Sequence, residues 1–218
     1  MIVNFLTRFS IFDPKLKAWQ LNKKNNVAEY KKKLFDPKRL TYRINNFEKI
    51  CLKSILSQKY TEWKWHIGIS DQLPEEFQHR LYSLCEDSRI VIYKVNGLDS
   101  FINMCDQKHN NYATVRLDDD DGLNTDFCSI LLKYKEEKNT IVSFPYGRSI
   151  VLDNNNIVYG SDVFYKNIAL GLSAINFNIF RAGNHSLVHQ KYKVIYDNST
   201  EMYYLNCGEY CDTQRKFQ

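Results

Sequence analysis

The stretch ATVRLDDDDGL, Ala113 to Leu123, runs from an apolar segment straight into four consecutive aspartates and a glycine. The β-branched and aromatic residues of YATVRL predict a strand, and Gly122 lets the backbone turn sharply after it. Four adjacent carboxylates repel one another and resist burial. Two surroundings tolerate them. One is solvent, in an acidic turn or at a helix N-terminus. The other is a divalent cation that several carboxylates share. The flanking sequence decides between these.

Upstream, strand-like and helical patterns alternate. IVNFLTRFSI, from Ile2, reads as a first strand. Residues 15–33 are rich in Lys and Asn and read as an irregular or partly helical surface insertion. Leu40, Ile44, Phe47, Cys51 and Ile55 recur at intervals of three and four, the signature of one helix face. WKWHIGIS is a second strand. Pro74 suits a first helical position, with Phe77, Leu81 and Leu84 as its buried stripe. RIVIYKV is a third strand, and Asp99 or Ser100 is expected to cap a short helix reaching Asp106. YATVRL is then the fourth strand. Asn124 or Thr125 is expected to cap a helix with Phe127, Ile130, Leu131 and Tyr134 on one face. TIVSF, SIVLD and IVYG read as strands, with a tight turn at Asn154–Asn156. Strand–helix alternation implies an α/β fold, a three-layer α/β/α arrangement around a mostly parallel sheet. One domain over residues 1–218 is expected. Residues 1–125 form a ligand-binding half, and residues 126–218 a more irregular second half.

In an open α/β sheet, ligands bind beyond the carboxyl ends of the strands. The aspartates sit at such an end, which favours the cation. Mg²⁺ and Mn²⁺ prefer oxygen donors and share them with substrate phosphates, so the implied ligand is a metal–diphosphate. An EF-hand loop fails, because the twelfth residue counted from Asp118 is Ser129 rather than Glu. Neither GxxxxGK[ST] nor GxGxxG occurs.

Composition sets outer bounds. The 218 residues carry a net charge of +5, yet residues 11–60 hold thirteen Lys/Arg against four Asp/Glu. This basic third is either a solvated surface or a patch for an anionic substrate or phospholipid headgroups, and hence for peripheral contact with the inner membrane face. Zinc-finger and RNA-recognition spacings are absent, so nucleic acid is not an expected partner. No apolar run reaches transmembrane length. The segment MIVNFLTRFSIFDP reads as a strand rather than a signal peptide. Six scattered cysteines are expected to be reduced thiols in a cytoplasmic protein.

FLTRFSI, SILSQKYTEWKWHIGISD and VRLDDDDGLNTDF together resemble glycosyltransferases of the GT-A fold, and most closely a bacterial rhamnosyltransferase-type group. The aspartate run matches that family's DXD motif. The resemblance implies a metal-dependent, inverting transfer of a sugar, rhamnose in the family, from a UDP- or dTDP-sugar to a glycan or lipid-linked acceptor. It implies Mn²⁺ or Mg²⁺ as cofactor. Thr7 and Arg8 would lie near the donor nucleotide, and Asp71 near its base. Arg116 would contact the diphosphate or pair with the aspartates. Asp118 and Asp119 would hold donor or metal, and Asp118, Asp120 and Asp121 the metal. His185 is expected to add a further metal ligand. The family carries a His-Gly pair near its C-terminus, where this chain has Cys207-Gly208.

An inverting enzyme also needs a base for the acceptor hydroxyl. Asp153, Asp162, Asp197 and Glu209 are candidates, and Asp162, just after a strand, is the choice. His185, His189, Cys207 and Cys211 could alternatively form a Cys₂His₂ zinc site. Two other functions compete: a sugar-phosphate nucleotidyltransferase, disfavoured by the missing Gly-rich phosphate loop, and a non-catalytic carbohydrate- or membrane-binding module.

Overall fold

A computed structural model describes residues 1–16, 26–107 and 111–211. Part of the expected 15–33 insertion therefore lies outside the described residues. The alternating pattern folds as anticipated into a large mixed sheet. Its strands in chain order are β1 (Ile2–Phe9), β2 (Trp63–Ser70), β3 (Ile90–Val95), β4 (Tyr112–Arg116), β6 (Thr140–Ser143), β9 (Ser173–Ile175) and β10 (Lys193–Tyr196). A second sheet takes β5 (Gly122–Leu123), β7 (Tyr146–Asp153), β8 (Asn156–Phe164) and β11 (Tyr203–Asn206). The spatial orders are β10-β6-β9-β4-β1-β2-β3 and β5-β11-β7-β8. In the large sheet only β9 runs against its neighbours, pairing antiparallel with both β4 and β6.

Burial explains the near-continuous apolar runs. Val3, Phe5, Trp65, Ile67, Ala113 and Val115 are inaccessible or nearly so, because helices cover both faces of the central strands. The predicted Leu40–Ile55 stripe forms a single helical rod. It is α-helical over Pro37–Asn46, π-helical over Phe47–Leu52, and α-helical again over Lys53–Leu56. Asp36 caps its start by accepting the Arg39 N–H. The wider π turn keeps Phe47, Ile50 and Cys51 all buried.

Tertiary structure corrects one cap. The short helix Leu98–Met104 starts after Gly97, so Asp99 and Ser100 lie inside it. Its Leu98 N–H is taken instead by the Asp13 carboxylate, 85 residues away in the chain, at 2.9 Å. The Asn154 and Asn155 turn forms as expected, both residues having positive φ, and it closes the β7–β8 hairpin. Gly147 is required in β7, because a Cβ there would collide with the Tyr203 ring. No helix among the described residues is long and apolar enough to cross a membrane.

His66 belongs to this core. Its ring bridges Asn4 Oδ1 at 3.2 Å and the Tyr93 hydroxyl at 3.0 Å. Burial, with a contribution from Lys64, lowers its pKa from 6.5 to about 4. Between those values the unfolded chain binds more protons than the folded one. Stability is therefore complete above about pH 6.5 and lost as the pH falls toward 4. The loss should approach about 3 kcal/mol. Urea titrations across that range should show it, and the corresponding part of the slope should vanish in His66→Gln.

Candidate active site

β4 ends at Arg116 and delivers the aspartates to the carboxyl edge of the sheet, beside the end of β1. Of the four, Asp119, Asp120 and Asp121 are buried, at 1%, 5% and 6% exposure, and only Asp118 is partly open. These carboxylates are therefore not a solvated turn, and each has a named partner. Arg43, reaching in from the Pro37–Asn46 helix, forks onto Asp119 through Nε at 3.0 Å and through Nη2. Its Nη1 reaches Asp120 Oδ2 at 3.0 Å and also the Tyr210 carbonyl. Arg8 Nη2 lies 3.2 Å from Asp118 Oδ1, and Arg116 Nε lies 3.6 Å from the same atom. Asp121 Oδ1 accepts the backbone N–H of Asn206 at 2.8 Å. Phe180 presents its ring to both arginines, 5.3 Å from Arg8 and 5.8 Å from Arg116.

A cleft of about 700 Å³ opens over this cluster. Its floor is the aspartates with Arg8 and Arg43, and its wall includes Tyr30, Leu34 and Arg39. Tyr30 and Leu34 are the buried positions of the helix Val27–Leu34. The basic insertion is thus in part a wall of the site, not only surface. Arg39 is anchored on Ser10 Oγ and the Leu34 carbonyl. The C-terminal segment closes the other side. Gly208 sits so tightly against the Tyr42 hydroxyl that any side chain there would clash, and Tyr42 also accepts the Glu209 N–H. This packing brings the Cys211 thiol to Asp120.

Charge in the cluster is unbalanced. Four carboxylates face the three guanidinium groups of Arg8, Arg43 and Arg116. Burial opposes ionisation of Asp118, but Arg116, Arg8 and Arg43 together outweigh it and hold its carboxyl well below the usual range. Burial, reinforced by Asp119 and Asp118 against the pull of Arg43, pushes Asp120 up to about 6. Burial and the Asp120 charge push Asp121 well above its ordinary value. The oxygen donors of these carboxylates are of the kind that Mg²⁺ and Mn²⁺ prefer. Among the described residues no group of three or more Asp, Glu, His or Cys side chains is placed to hold a metal ion. An ion held by one or two carboxylates and shared with phosphate oxygens and water needs no such group.

His185 also belongs to this neighbourhood. Burial lowers its pKa, with Arg116 and Arg8 lowering it further and Asp118 opposing them. Its Nδ1 lies 2.6 Å from the Asn167 carbonyl, which can only accept, so Nδ1 carries the proton and Nε2 is left basic.

Three expected site residues lie elsewhere. The Thr7 hydroxyl is buried and accepts the Trp65 indole N–H at 2.9 Å, so it faces the core rather than the cleft. Asp71 follows β2 at an exposed position and does not line the cleft. Asp162 pairs with Arg148 on the second sheet. That register puts it level with Tyr204, while the cleft begins at Asn206. Asp197, another base candidate, is occupied by the Tyr134 hydroxyl and by Ser199. The alternative Cys₂His₂ zinc site does not assemble, since the His185 ring is held at Asn167 and Cys211 at Asp120.

The sequence of residues 3–217 matches a family described as "Putative rhamnosyl transferase". The chain belongs to this family. No curated protein is matched by sequence. In fold, this family member is similar to S. aureus TarS 1-349 in complex with UDP-GlcNAc, with a TM-score of 0.59 at 8% identity. That likeness covers 96% of this chain and 59% of TarS. S. aureus TarS 1-349 without the nucleotide sugar gives a TM-score of 0.55 at 8% identity, covering 94% and 60%. The chain thus spans about three-fifths of the length of these TarS structures, and what it shares with them is the GT-A-like fold.

Sequence reasoning missed Arg43, Arg39, Tyr30 and Asn206 as site residues, and weighed Cys211 only as a zinc ligand. Arg43 left a signal: it interrupts the Leu40–Ile44–Phe47 stripe, where a charge is out of place unless paired. Asn206 and Cys211 left none, because only the return of β11 beside β5 brings them in.

Removing Arg43 strands two buried carboxylates. Arg43→Met is expected to cost about 3–5 kcal/mol of folding stability, read as a lowered urea midpoint. Arg43→Lys should recover part of that loss but not the two-pronged grip on Asp119.

Proposed function

We propose that this rhamnosyl transferase family member transfers a sugar from a nucleoside-diphosphate donor, UDP- or dTDP-linked, to a hydroxyl of a glycan or lipid-linked acceptor, with rhamnose as the sugar. The observation that carries the reading is the aspartate cluster itself. Buried carboxylates at the carboxyl edge of the sheet floor a cleft, with two arginines converging on Asp118.

Asp118 and Asp120 would hold Mg²⁺ or Mn²⁺, with Asp119 and Asp121 supporting them through Arg43 and Asn206. When bound, the ion would supply Lewis-acid stabilisation to the departing diphosphate. Arg8 and Arg116 would share that task. Their guanidinium groups are braced on the Phe180 ring, and each has forked donors for phosphate oxygens. Arg39 and Tyr30 offer a cationic and an aromatic surface on the opposite wall. A neutral His185 with a basic Nε2 is in the form that receives a proton or a cation. The exposed Lys31, Lys32 and Lys33, beside the cleft wall, would favour an acceptor presented at an anionic membrane surface.

Asp120→Ala tests the reading by calorimetry with UDP- and dTDP-sugars in the presence and absence of Mn²⁺. The wild-type protein should bind one donor with a strong Mn²⁺ dependence, and the variant should weaken that binding by about a hundredfold or more. Equal donor binding by the two proteins, or none by either, would refute it.

A further inference from the structure

The second sheet carries chemistry that the cleft does not use. Cross-strand partners share a face, so Tyr146 with Phe164 and Arg148 with Asp162 project from the same side of the β7–β8 hairpin, and a β-bulge follows before Ile150, the partner of Tyr159. Tyr204, level with Arg148 on β11, joins them. Among the described residues, five of the eleven large apolar side chains that stand exposed lie between Tyr146 and Tyr165. Phe164 and Tyr159 are 58% and 57% exposed.

These side chains are ordered along the strands. At the far end the Tyr146 and Phe164 rings pack 4.9 Å apart. Next comes a polar fork, with Arg148 3.3 Å from Asp162 and 3.1 Å from Glu201. A groove of about 500 Å³ here also takes in Asn198, Ser199 and Thr200. Beyond the fork, Tyr159 meets the Tyr204 ring edge-on at 6.0 Å. Two residues past Tyr204, on the same face, is Asn206, which lines the cleft. From Tyr146 to the level of Asn206 is four residues, about 13 Å.

The geometry points to this face as the track on which an acceptor oligosaccharide lies, extending from the cleft. Aromatic faces offer apolar contact to the C–H side of a sugar ring. The guanidinium, carboxylates, amide and hydroxyls between them match the donor–acceptor pattern of sugar hydroxyls. One arginine against two carboxylates leaves no excess positive charge for a phosphate or an anionic lipid, which favours a neutral glycan. Continuity with the cleft separates this occupant from a second copy of the chain, which would not need a path to Asn206. On this arrangement Asp162 is a sugar-binding group, not the base. The inference rests on the reading of the cleft as a sugar-transfer site.

The test is binding of wild-type protein to an array of bacterial tri- to hexasaccharides, with affinities for any hit measured by calorimetry. Wild-type protein should bind at least one neutral oligosaccharide. Phe164→Ala and Tyr159→Ala, both exposed and so tolerated by the fold, should each weaken it by about tenfold. Nucleotide-sugar binding should stay unchanged in both. Asp120→Ala should do the reverse, keeping the glycan and losing the donor. No glycan binding, or binding indifferent to both aromatic substitutions, overturns the track while leaving the transferase reading intact. So does a dimer seen by light scattering that dissociates in Phe164→Ala without any glycan effect. Glycan binding by a protein that takes no nucleotide sugar would support the track and remove the transferase instead.

Discussion

Arg43 holds three elements together. Its guanidinium lies between Asp119 and Asp120, with the Tyr210 carbonyl as a third partner, and it comes from a helix that follows β1. Three adjacent carboxylates could not be buried at the sheet edge without a cation at this position. With it, the loop after β4, the helix from Pro37 and the C-terminal segment are drawn around one cleft. A buried ion pair of this kind adds little to stability compared with an apolar equivalent, but its geometry is specific. It sets where each carboxylate points, and so what the cleft can hold.

Three arginines meet four carboxylates, and the strain appears at Asp120 and Asp121, whose carboxyls burial pushes toward protonation. Arg8 and Arg116 both reach Asp118 and both rest on Phe180, which keeps two further cations beside the aspartates. Recognition of a metal–diphosphate, as proposed above, would follow from this balance rather than from any single residue.

The two sheets divide the work. The large sheet is covered on both faces and acts as a rigid support that sets the ends of β1 and β4 side by side. The small sheet begins immediately after the aspartates at β5, so its far strands are tied to the cleft through β11. Its outer face at β7–β8 is left open and aromatic. An acceptor bound there would be referred to the same backbone that positions the carboxylates.

The sequence by itself determined the alternation of strands and helices, the place of the aspartates at a strand end, and the Asn154–Asn155 turn. Each rests on local signals: apolar periodicity, turn chemistry, and charge against burial. That Arg8, Arg116 and Asp118 share one site was implied by the resemblance to GT-A glycosyltransferases rather than by any local signal. Only the tertiary structure decided the rest. Thr7 turned inward because Trp65 on the next strand takes its hydroxyl. Asp162 fell on the outer face of the second sheet because its partner across the hairpin is Arg148. Asp13 became a helix cap 85 residues along the chain. Arg43, Asn206 and Cys211 reached the cleft through long-range packing. A pairing between distant residues leaves no periodic trace in either segment, so no reading of one segment alone can supply it.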